Sequence, residues 1–123
     1  MPRVLITGSR ALTSVDLVHT ALSEARWLLG PDLTIVHGGA RGADRIAAGL
    51  AAGLGLNVEE HAADWAQHGK AAGFIRNQAM ADAGADLCLV FLREGFACRG
   101  TKDAWRRADR AGIPCRVYTQ EPR

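Results

Sequence analysis

The sequence predicts an α/β fold: a doubly wound parallel sheet of five strands in the order 3-2-1-4-5, with helices on both faces. Three observations predict it. Short β-branched runs alternate with Ala-rich stretches of helical period along the whole chain. The strand runs are nearly all apolar, as expected when both faces of a sheet are covered. Strands that alternate with helices pair in parallel through right-handed crossovers.

Each element follows from its residues. Residues 3–7 form the first strand, around Val4, Leu5 and Ile6. Residues 14–29 form a helix with the stripe Val15, Val18, Leu22, Ala25 and Leu29, started by the N-cap formers Thr13 and Ser14 and stopped by Gly30-Pro31-Asp32. Residues 33–37 are the second strand. Residues 43–54 are a helix with Ala43, Ala47, Leu50, Ala51 and Leu54 on one face, ended by Gly53 and Gly55. A weaker third strand, 56–61, leads into a loop, 62–69. The third helix, 70–83, should face the sheet with Ala72, Ile75, Arg76, Ala79 and Ala83. Residues 86–92 are the most hydrophobic strand, 93–100 a loop, 101–111 a helix ended by Gly112 and Pro114, and 115–119 the last strand. Trp27 and Trp105 fall on helical stripes and are expected in the core.

Composition narrows the function. A chain of 123 residues has room for one domain, 1–123, and needs no disulfide or metal staple. With 48% hydrophobic and 23% charged residues it is not a disordered chain. No apolar run approaches the ~18 residues of a membrane span, and the start Met1-Pro2-Arg3-Val4 lacks a signal-peptide pattern, so no membrane partner is expected. Cys88, Cys98 and Cys115 are odd in number and widely spaced, which argues against a disulfide framework and for a reducing, cytoplasmic setting. His61 and His68 are too dispersed for a metal site, and no cofactor is indicated. Residues 1–61 carry five Arg and six acids, whereas 62–123 carry ten basic residues and seven acids. That asymmetry is too mild for a dedicated nucleic-acid binder. Thirteen of the fifteen cations are Arg, the better bidentate partner for phosphate.

In such sheets ligands bind beyond the carboxyl ends of the strands, near the switch point. Glycines and polar residues collect at that end. Gly8, Ser9 and Arg10 follow the first strand, and Gly38-Gly39-Ala40-Arg41-Gly42 followed by Asp44 the second. The glycine turn is neither a dinucleotide fingerprint nor a P-loop; it reads either as an anion cradle of backbone N–H groups or as a tight strand-to-helix turn. Gly100-Thr101, opening the fourth helix, reads either as a second such anion site or as a helix cap by Thr101. Arg76, with Asn77 beside it, lies on the face expected against the sheet, where a guanidinium needs an anion or an acid. Asp44, Asp64 and Asp103 are the candidate carboxylates. Trp65 could stack on a base.

Thr7-Gly8-Ser9-Arg10, His37-Gly38-Gly39-Ala40-Arg41-Gly42-Ala43-Asp44, Ala63-Asp64-Trp65, Gly69-Lys70-Ala71-Ala72-Gly73-Phe74-Ile75-Arg76-Asn77 and Gly100-Thr101-Lys102-Asp103 together resemble the YspA/YpsA-related branch of the SLOG superfamily. The resemblance spans nearly the whole chain. It implies a Rossmann-like fold that binds a nucleotide or nucleotide-derived ligand, in a family common in bacteria and their phages and often dimeric. The superfamily includes the LOG enzymes, which hydrolyse the N-glycosidic bond of nucleoside 5′-monophosphates with an Arg in an RKxxM-like helix and a Glu in PGGxGTxxE. Arg76-Asn77-Gln78-Ala79-Met80 is similar to the first motif. In the second, Gly100-Thr101 is present, but Ala104 stands at the Glu position and Asp103 one residue early, about 100° round a helix. The superfamily also includes the single-strand DNA binder DprA, with similar Gly-Ser-Arg and Gly-Gly-Ala-Arg-Gly runs. Three readings follow: a nucleotide sensor or carrier; a LOG-like hydrolase using Arg76, with Asp103, Asp64 or Asp44 substituting for the missing Glu; and a DprA-like DNA binder. A homodimer stays open.

Overall fold

Alternate residues of the central strands bury on opposite sides of one sheet, and that alternation builds two cores. The computed structural model describes residues 1–122. In chain order it contains β1 (Arg3–Gly8), α1 (Val15–Leu29), β2 (Thr34–His37), α2 (Ala43–Gly53), β3 (Asn57–Glu60), α3 (Trp65–His68), a 3-10 turn (Gly69–Ala71), α4 (Ala72–Ala83), β4 (Leu87–Arg93), α5 (Arg99–Arg110) and β5 (Cys115–Gln120). The strands pair in parallel in the order β3-β2-β1-β4-β5, as the alternation of elements predicts.

Val4, Ile6, Ile35, Leu89 and Phe91 bury against α1 and α2 through Val18, Leu22, Ala47 and Ala51. Leu5, Val36, Cys88 and Val90 bury on the other side with Met80 of α4, Ala108 of α5 and Ile113. Each fully buried Val, Leu or Ile contributes roughly 1.5–3 kcal/mol relative to exposure. Phe91 adds a stacked contact with Tyr118, ring centroids 5.5 Å apart, across the β4–β5 pair. Burial pushes the Cys88 thiol above its ordinary value, consistent with a small apolar role. No described helix is long and apolar enough to cross a membrane.

Four local expectations are corrected. Loop 62–69 contains α3, begun by Asp64, whose Oδ1 accepts from the Gln67 N–H at 3.1 Å. Helix α5 starts at Arg99, so Gly100 and Thr101 lie inside its first turn. Trp27 is 85% exposed, because it stands two residues, or about 200°, round the helix from buried Ala25. Helix α4 buries Ala72, Asn77, Met80 and Ala81 and leaves Ile75, Ala79 and Ala83 exposed. Apolar residues stand on nearly every side of α4, so periodicity could not choose its face. Trp105, by contrast, is half-buried against the α5 core. Because Trp27 touches so little, Trp27→Ser should change unfolding free energy by no more than about 0.5 kcal/mol in urea. A larger loss would mean that α1 packs through a different face.

Candidate functional site

Strand order places the β2–α2 loop on one side of the β1 carboxyl end and the β4–α5 loop on the other. Between them lies a cleft of about 270 Å³. Its walls include Ser9, Arg10, Gly38, Asp44, Arg76 and Thr101. The volume is close to the lower end for small-ligand sites. Every strand involved ends here because the polar residues begin where the apolar run stops.

The loop after β1 is held rigidly. The Ser9 N–H donates to Phe91 O at 2.8 Å, and Ser9 Oγ accepts from the Ala11 N–H at 3.1 Å. Arg93 donates to Ala11 O at 2.6 Å while its guanidinium stacks on Phe96. Arg10 itself is exposed at the cleft.

The loop after β2 departs from the phosphate cradle that its glycines suggest. The Gly38 and Ala40 N–H groups both donate to Asp44 Oδ2, at 3.1 and 3.2 Å. The Gly39 N–H donates to His37 Nδ1 at 2.9 Å, and the Ala43 N–H at the start of α2 donates to Ser9 O at 3.3 Å. These amides are therefore engaged within the protein and unavailable to an anion. Glycine is needed here for packing instead. A Cβ on Gly42 would stand 2.3 Å from Ser9 O, and its φ of +75° is one that L side chains rarely adopt. Gly39, Arg41 and Gly42 are not cleft-lining residues, and Arg41 is exposed.

The anion-binding geometry lies across the cleft, at α5. Among the described residues no side chain caps this helix, and its first internal bond runs from the Lys102 N–H to Cys98 O. The N–H groups of Arg99, Gly100 and Thr101 are left without helical acceptors at the positive end of the dipole. All three residues line the cleft. Arg99 is a cleft residue that the sequence analysis did not single out; only its position one residue before Gly100-Thr101 could have marked it.

Arg76 reaches across from α4. Its Nη1 donates to Gly38 O at 2.7 Å and its Nε to Asn77 Oδ1 at 2.9 Å. Burial pulls the guanidinium pKa below its ordinary value; Asp44 opposes this, and Arg10 adds to it. Neither Arg10, Arg76 nor Arg99 forms a salt bridge among the described residues. Three cations thus line the same cleft as one buried carboxylate, that of Asp44. Burial pushes the Asp44 pKa up, against its backbone hydrogen bonds and the charge of Arg76.

The other carboxylates stand apart. Asp103 Oδ2 accepts from Arg107 Nε at 2.8 Å and from Asn77 Nδ2 at 3.0 Å. Burial raises its pKa, but these two hydrogen bonds outweigh it and hold the group below its ordinary value. Asp103 therefore fastens α5 to α4 and is not part of the cleft lining. Asp64 serves as the α3 cap. Trp65 is 54% exposed and lies against Gly73, outside the lining. The structure brings together Gly8, Ser9, Arg10, Gly38, Ala40, Asp44, Arg76, Asn77, Gly100 and Thr101 of the residues predicted from sequence.

Gly38 offers a local test. A Cβ there would stand 2.3 Å from Arg76 Nη1, the far end of a flexible side chain. Gly38→Ala should displace that guanidinium and weaken ligand binding about tenfold, with the melting temperature lowered by less than about 5 °C. Unchanged affinity in a calorimetric titration would separate Arg76 from the ligand.

A parallel five-stranded sheet with a polar cleft at its switch point defines a Rossmann-like α/β protein. The chain belongs to the YspA, cpYpsA-related SLOG family, whose profile matches residues 2–68. It is 46% identical over 127 residues to the Gene 61 protein of Mycobacterium phage D29, an alignment covering 99% of this chain and 100% of that protein. The fold is also similar to DNA processing protein A (DprA) from Streptococcus pneumoniae, with a TM-score of 0.59 and 16% identity. That alignment covers 94% of this chain and 58% of DprA, and at this identity it shows the fold alone.

Proposed function

We propose that the protein binds a nucleotide or nucleotide-derived ligand, a nucleoside monophosphate or an ADP-ribose-like molecule, as a sensor or carrier. The observation that carries this reading is that Arg10, Arg76 and Arg99 line one cleft together with the uncapped start of α5, with no salt-bridge partner among the described residues. Cations gathered without paired acids favour an anion, and helix amides give it directional donors. Calorimetric titration with AMP, ADP-ribose and inorganic phosphate tests the reading. One molecule of AMP or ADP-ribose should bind per chain. At a hundredfold excess over Kd it should stabilise the fold by about 2.7 kcal/mol. No heat and no thermal shift with any of the three would refute it.

A second reading, hydrolysis of an N-glycosidic bond, depends on Asp44. Such a step needs a carboxylate near the sugar to stabilise developing positive charge and to orient water. With Asp103 committed to Arg107 and Asp64 to α3, Asp44 is the remaining candidate. The carrier reading predicts that AMP is recovered intact by chromatography after incubation; free adenine in wild type, lost in Asp44→Asn, would favour the hydrolase. A DNA-binding role has less support, since among the described residues no aromatic side chain lines the cleft to stack successive bases of a strand.

A further inference from the structure

Asp44 is an unusual residue for an anion site. It is only 5% exposed, and its two oxygens have different surroundings. Oδ2 accepts both loop amides, from Gly38 and Ala40. Oδ1 is buried and has no hydrogen-bond partner among the described residues. An unsatisfied buried carboxylate oxygen is costly. The lock on Gly38 and Ala40 needs only one oxygen, so loop geometry does not account for the second.

The charge of Asp44 also limits what it can meet. A phosphate beside it would be repelled, so the phosphate belongs on the α5 side of the cleft, with Arg99, Gly100 and Thr101. The Asp44 side then receives an uncharged donor. Paired N–H donors, such as a guanine edge, call for two free carboxylate oxygens. Asp44 has one, which suits a single hydroxyl.

We infer that Asp44 Oδ1 accepts a hydrogen bond from a sugar hydroxyl, so that the cleft selects a hydroxyl-bearing sugar phosphate over phosphate alone. This rests on the proposed function and names the part of the ligand that the second half of the cleft reads. Oδ1 is closed to bulk water, so a ligand reaching it moves a neighbouring side chain. Arg76, the long flexible cation whose charge acts on Asp44, is the group able to yield. The same motion would turn the guanidinium toward the ligand.

Asp44→Asn separates a ligand role from a structural one. The Asn carbonyl oxygen can keep accepting from Gly38 and Ala40, while its amide replaces the free oxygen. The experiment titrates wild type and Asp44→Asn with AMP, 2′,3′-dideoxy-AMP and inorganic phosphate, and records both melting temperatures. Wild type should bind AMP about tenfold more tightly than the dideoxy compound. In Asp44→Asn that preference should fall to about threefold or less, because a neutral hydrogen bond replaces a charge-assisted one. Inorganic phosphate should bind the variant as well as wild type or more tightly, since a negative charge has gone. The variant should melt at the wild-type temperature or above it. Equal wild-type affinity for AMP and dideoxy-AMP would overturn the inference and leave the nucleotide reading standing. Parallel losses of AMP binding, phosphate binding and melting temperature would make Asp44 structural and also overturn it. Failure of wild type to bind either AMP or phosphate would refute the nucleotide reading itself.

Discussion

Arg76→Ala should abolish measurable nucleotide binding while leaving the fold intact. The guanidinium supplies a half-buried charge and directional donors at the cleft, whereas Arg10 and Arg99 are exposed. Losing two charge-assisted hydrogen bonds to a phosphate costs about 3 kcal/mol or more, which is about a hundredfold in affinity. The stability cost should be small by comparison. Arg76 is only half-buried, its main acceptor is the backbone carbonyl of Gly38, and it has no acid partner within salt-bridge distance among the described residues. Water can take over at an opened cleft. The melting temperature should fall by less than about 5 °C, equivalent to roughly 1 kcal/mol in a chain of this size. A fall well beyond that, with affinity preserved, would make Arg76 a strut between α4 and the Gly38 loop.

Gly42→Ala should have the opposite signature, a large loss of stability. The new Cβ would stand 2.3 Å from Ser9 O and 2.8 Å from both C and O of Arg10. All three are backbone atoms, so no flexible side chain can yield. The φ of +75° adds strain for any L residue. Together these should cost about 3 kcal/mol or more, and the melting temperature should drop by about 10 °C or more. Binding should fall as well, because the clash pushes the Ser9-Arg10 loop away from α2. A melting temperature within 2 or 3 °C of wild type (about 0.5 kcal/mol) would show that the two loops are not packed as described.

The two variants show what the sequence could reveal about the site and what it could not. The fold was readable because both faces of the sheet are covered. Val4, Leu5, Ile6 and the run from Leu87 to Phe91 can only be buried strands, and the helices between them dictate parallel pairing. The position of the cleft followed from topology, and Arg76 lines it, although Ile75, Ala79 and Ala83 of the α4 face on which it was expected are exposed. The roles of the glycines did not follow. A glycine turn that cradles phosphate and one that lets two loops pack have the same composition. Only the hydrogen bonds from Gly38 and Ala40 to Asp44, and the Ser9 oxygen against Gly42, distinguish them. The carboxylates were ambiguous for the same reason. Asp44, Asp64 and Asp103 each begin a helix or stand near its start, yet one is enclosed in the cleft, one caps a short helix and one pairs with Arg107 a turn later. That last pairing has ordinary i,i+4 spacing and is visible in sequence.

A crystal structure of the protein with AMP tests the central claim most directly. The phosphate should lie within hydrogen-bond distance of the Gly100 and Thr101 amides, with at least one guanidinium of Arg10, Arg76 or Arg99 turned onto it. Solvent alone in the cleft, or a nucleotide held elsewhere with Arg76 closed onto Asp44, would contradict the account.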